Sequence, residues 1–61
     1  MRYILKEEVD GLSTIYRIPG IQSSDIALLD GSYASRKSAQ AAMRRIMREV
    51  INTRVTILEV E

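Results

Sequence analysis

Sixty-one residues make at most one domain, and a chain this short buries only about 60% of the surface its unfolded form exposes, so its stability is expected to be thin. It contains no Cys and no His, which excludes disulfides, thiolate chemistry, zinc fingers, haem ligation and His-based acid–base catalysis. Nine basic residues against eight acidic ones leave a net charge of +1, too even a balance for a surface built wholly to hold nucleic acid.

The apolar fraction of 46% and the charged fraction of 28% are those of an ordinary globular chain. With Phe and Trp absent, the core must come from Ile, Leu, Val, Met, Ala and the three Tyr. Of the supports that small folds use, only oligomerisation remains open. No apolar run is long enough to span a bilayer, and no charged stretch followed by an apolar one marks a secretory leader. The expected location is the cytoplasm of a bacterium or of a phage-infected cell.

In chain order, Tyr3-Ile4-Leu5-Lys6-Glu7-Glu8-Val9 reads as a first strand. Tyr3, Leu5 and Val9 fall on one face at period two, and Glu7 is the exception on that face. Asp10-Gly11 predicts a hairpin turn, because both central positions can take positive φ. A second strand follows from Leu12 to Ile18, with Leu12, Thr14, Tyr16 and Ile18 on one face and Ile15 and Arg17 on the other. Pro19-Gly20 stops it. Ile21 to Ser24 reads as loop, and Asp25 to Asp30 as a short third strand closed by Asp30-Gly31.

The period then changes from two to 3.6. Ala39, Ala42, Met43, Ile46, Met47, Val50 and Ile51 share one half of a helix that the spacing places at Arg36 to Ile51, with Ala39, Met43, Ile46 and Val50 at the centre of the apolar stripe. Ser35 is the expected N-cap, with Ser38 as the alternative, and Asn52 is suited to a left-handed stop. Thr53 to Val60 is rich in β-branched residues and reads as a last strand. The expected fold is α+β: a three-stranded antiparallel meander, one amphipathic helix, and a final strand returning to the sheet, in the order β-β-β-α-β.

The stretch Asp25 to Met43, reading DIALLDGSYASRKSAQAAM, resembles the small bacterial YegP-like domains through Ile26, Gly31, Tyr33, Ser35, Lys37 and Ala39. With the upstream strand-Asp-Gly-strand order, the resemblance covers about two-thirds of the chain. It implies a β-β-β-α-type fold and a family without a settled biochemical activity.

Lys37, Arg44 and Arg48 fall within roughly 40° of one another on the helix, opposite the apolar stripe, with Arg45 to one side. Guanidinium groups so arranged could grip phosphates or a partner, but a solvated outer face is the simpler reading and the one we favour. Tyr3 and Tyr16, as cross-strand neighbours beside Arg2 and Arg17, could stack bases; filling the core in place of Phe and Trp is simpler. Tyr33 is expected to pack as a lid over the start of the helix. Glu7, Glu8 and Asp10 match no metal-ligand spacing and read as charges protecting a strand edge. None of the serines has a His to activate it, so the chain is expected to be non-catalytic and to need no cofactor.

Apolar residues on both faces of the strands suggest more. One helix covers one face only, so whichever set faces it, large aliphatic side chains remain on the other; Ile4, Ile15, Leu29 and Leu58 are the candidate interface. The expected function is therefore that of a small domain acting through protein contacts, with a homodimer as the first expectation. A nucleic-acid-binding module is the alternative, and an inhibitor or adaptor docking on a larger protein is a further one.

Overall fold

The computed structural model describes residues 1–11, 13–50 and 52–60. In chain order these form β1 (Arg2–Val9), β2 (Ser13–Ile18), β3 (Ile21–Ser23), a 3-10 turn at Ile26–Leu28, the helix α1 (Arg36–Glu49) and β4 (Thr53–Val60). The strands make one four-stranded antiparallel sheet in the order β3-β2-β1-β4. This is the expected α+β fold, with the last strand returning to the sheet. It returns beside β1, so β1 is a central strand, paired along its length from Arg2 opposite Val60 to Val9 opposite Thr53.

The β1–β2 hairpin turns where the sequence places it, with Asp10 at φ 52° and Gly11 at φ 67°. Its register differs from a two-residue hairpin, because Val9 pairs with Ser13 and three residues connect the strands; the expected strand residue Leu12 lies outside the described residues. One extra residue in the connection flips every side chain of β2 relative to β1. Leu5 thus stands opposite Arg17, and Glu7 opposite Ile15, while Tyr16 faces Lys6. Arg17 and Ile15 share the face of Leu5, and Tyr16 and Ile18 lie on the other. Tyr3 and Tyr16 are not cross-strand neighbours, since Tyr3 pairs with Glu59 on one side and with Tyr33 on the other.

The third strand is not at Asp25 to Asp30. Pro19-Gly20 does more than stop β2: it turns the chain at once, with Gly20 at φ 76°, so that Ile18 pairs with Ile21 and β3 begins there. Pro followed by a residue with positive φ is the pattern of a tight type II turn. Asp25 then diverts the chain from extended structure. Its Oδ1 accepts a hydrogen bond from the Ala27 N–H at 2.9 Å, and its carbonyl accepts one from the Leu28 N–H at 3.0 Å. A short acidic side chain satisfying the backbone locally competes with strand pairing in this way.

The helix begins as expected: the Ser38 N–H donates to Ser35 Oγ at 3.1 Å, and the two hydroxyls lie 3.0 Å apart. Regular helix ends at Glu49, Asn52 takes φ 61°, and the expected helix residue Ile51 lies outside the described residues. The core beneath α1 is Leu5, Ala39 and Val55, flanked by half-buried Tyr3, Tyr33, Ala42, Met43, Ile46 and Ile57. Only Ala39 of the helix is fully buried, while Met47, expected in the stripe, is 53% exposed.

Ile4 and Ile18 are also buried, at 6% and 4% exposure, although the pairing register puts them on the face away from the helix. The segment between β3 and α1 closes over that side. A Cβ on Gly31 would stand only 3.4 Å from Ile18 Cδ1, and Tyr33 exchanges two backbone hydrogen bonds with Tyr3 where β2 has run out.

Candidate functional site

The helix is too narrow for the sheet, and it is not centred on it. Its packing is against β4 and β1, with little contact to β2 and β3. Between α1 and the end of the β2–β3 hairpin this leaves an open trough of about 500 Å³, which also takes in Ile18, Gly20 and Ile21 at the turn. Arg17 and Gln22, opposite each other on β2 and β3, belong to its floor. Ala42, Arg45, Ile46 and Glu49 line it from α1, and Tyr33 lines it as well.

Of the polar groups there, Arg17 is held in place by an ion pair. Glu7 is 1% exposed, and its Oε2 accepts a hydrogen bond from Arg17 Nε–H at 2.6 Å. A carboxylate buried this deeply needs a charged partner, and the pair fixes the guanidinium in turn. This corrects the reading of Glu7 as an edge charge: β1 is central, and Glu7 continues the face of Tyr3, Leu5 and Val9 inward. The Tyr33 hydroxyl is pushed above the ordinary tyrosine pKa of 10.0 by burial, while the positive charges of Arg17 and Arg45 pull against that shift. Arg45 stands at the exposed rim on the helix and, among the described residues, has no ion-pair partner.

The other sequence candidates are dispersed. Lys37, Arg44 and Arg48 are exposed on the solvent side of α1, as expected. Tyr3 sits on the core side with the Arg36 guanidinium 5.4 Å from its ring centre, and Arg36 also donates to Glu59 at 2.5 Å. Tyr16 is on the opposite face, so the two tyrosines form no shared stacking platform. Ile4 and Leu58 do stand opposite each other on the face away from the helix, but Ile4 is buried and Leu58 half-buried. Ile15 is on the helix side, and Leu29 is half-buried beyond the 3-10 turn. The four do not make one surface.

Sequence reasoning passed over Arg17 and Gln22 as a pair. The signal was present: an acid interrupts the apolar face of β1, and a base stands at the matching depth of β2. It becomes readable only once the hairpin register is known. Among the described residues no helix is long and apolar enough to cross a membrane. No protein-family model, curated protein or solved structure matches this chain.

Proposed function

We propose that this protein is a small non-catalytic domain that acts through protein contacts, first of all with a second copy of itself, along the outer edge of β4. One observation carries the reading. The sheet has two edges, and they are protected very differently. β3 is three residues long and is entered through Pro19-Gly20, which leaves little ladder to extend. β4 is eight residues long and, among the described residues, nothing pairs with its outer side. It contains no proline, and its charges are Arg54 near one end and Glu59 near the other. Natural edge strands that must stay unpaired are usually short, kinked or heavily charged. A two-fold axis beside β4 would pair it with itself antiparallel, joining two sheets into one and satisfying both rows of backbone groups.

The burial of Ile4 and Ile18 within the single chain favours this edge over a face-to-face dimer. Thr56, exposed near the middle of β4, gives the test. In an antiparallel self-pair, Thr56→Lys brings like charges close together across the axis, which opposes association. Sedimentation equilibrium of the parent is expected to give twice the 6.9 kDa chain mass at micromolar concentration, and of Thr56→Lys the chain mass alone with an unchanged circular dichroism spectrum. A parent that stays at 6.9 kDa throughout removes self-association as the function.

A further inference from the structure

We propose that the trough between α1 and the β2–β3 half of the sheet binds small phosphate monoesters carrying an apolar body. The site lies at the opposite side of the sheet from the β4 edge, so the proposal does not depend on self-association.

Four donor-bearing side chains line one trough: Arg17, Gln22, Tyr33 and Arg45. Arg17 spends its Nε–H on Glu7, which leaves the two terminal amino groups of a fixed guanidinium. Arg45 supplies a second guanidinium from the rim, and Gln22 and Tyr33 supply an amide and a phenol. This set offers more donors than the two oxygens of a carboxylate can use, and it suits the three terminal oxygens of a phosphate monoester. The charged groups of this region sum to zero, Arg17 and Arg45 against Glu7 and Glu49, but among the described residues only Arg17 and Glu7 are bonded to each other, so Arg45 keeps its guanidinium donors for a ligand. Ala42 and Ile46 line the same trough and provide an apolar wall for the rest of the molecule. Glu49, the acidic residue lining it, opposes a bare anion and accepts from a ligand hydroxyl.

The experiment is a titration of the isotope-labelled protein, followed by its amide signals in two-dimensional NMR, with ionic strength held constant by chloride. The probes are inorganic phosphate, phenyl phosphate and phenol. Expected are saturable shifts centred on Gln22, Tyr33 and Arg45, with phenyl phosphate saturating at lower concentration than phosphate and phenol shifting nothing. Arg45→Gln, at an exposed position that should not disturb folding, should weaken phenyl phosphate by about tenfold, the size of one hydrogen bond to a charged group. Glu49→Gln should tighten it. The proposal is overturned if millimolar phenyl phosphate shifts nothing, or if phenol reproduces its shifts. It is equally overturned if Arg45→Gln leaves the affinity unchanged, or if the shifts spread over Lys37, Arg44 and Arg48 as a diffuse ion atmosphere would.

Discussion

At the scale of single residues, the Glu7–Arg17 pair decides most about the sheet. Its carboxylate is enclosed while the Arg17 side chain retains 30% exposure, so removal of either partner has unequal consequences. Arg17→Met leaves a buried charge with no counter-charge and is expected to cost about 3 kcal/mol. Replacing both, as Glu7→Leu with Arg17→Met, is expected to return stability to the parent level or above it, because packed apolar side chains carry no desolvation cost. Urea unfolding of the single and double variants checks this, and a single variant as stable as the parent contradicts it. Tyr33 makes the second prediction at this scale. Its pKa is raised in the folded protein, chiefly by burial, so the folded state holds the phenolic proton more tightly than the unfolded chain does. The stabilisation is present in full below the ordinary value of 10.0 and fades as pH climbs through and above it. Thermal melts are therefore expected to lose stability in the alkaline range, and Tyr33→Phe to remove part of that loss.

Among the elements, the helix was the most legible, because its apolar spacing is sustained over several turns and its cap chemistry is local. What the period could not show was depth. Ile46, at the centre of the stripe, is only half-buried, whereas Leu5 on β1 is enclosed. Leu5→Ala is expected to cost about 2–5 kcal/mol, and Ile46→Ala clearly less, since truncating a partly solvated side chain leaves little cavity. Equal losses in denaturant melts would mean that α1 sits deeper over the sheet than described. The third strand was misplaced for an equally local reason. Asp25-Ile26-Ala27-Leu28 has a strand-like composition, yet the Asp25 side chain and carbonyl capture the next two free N–H groups and wind it into a 3-10 turn. The hairpin register was not legible either, because Asp10-Gly11 marks a turn without fixing whether two or three residues span it. That single ambiguity hid the trough, since it decides which face of the sheet Arg17 occupies.

For the whole molecule, the radius of gyration of 10.7 Å is close to the value of about 10.5 Å expected for a compact chain of this length, so no partner is needed to explain its dimensions. The enclosed apolar set is nonetheless small: Ile4, Leu5, Ile18, Ala39 and Val55 among the described residues. A domain with so little interior gains from any partner that binds only its folded form. If β4 pairs with itself, the melting temperature should rise with protein concentration in the parent and be independent of it in Thr56→Lys, which differential scanning calorimetry can read.

The placement of β4 beside β1 also governs how the chain reaches this state. The β1–β2–β3 meander joins neighbours in sequence and can form early through short turns. The central strand, however, gains its second partner only when Thr53 meets Val9 and Val60 meets Arg2. Closing that long loop costs chain entropy before the Leu5–Ala39–Val55 contacts can repay it, and such distant pairings slow folding. The barrier to folding should therefore lie in bringing the two distant strands together. Until they meet, one whole side of β1 remains open to whatever strand arrives first.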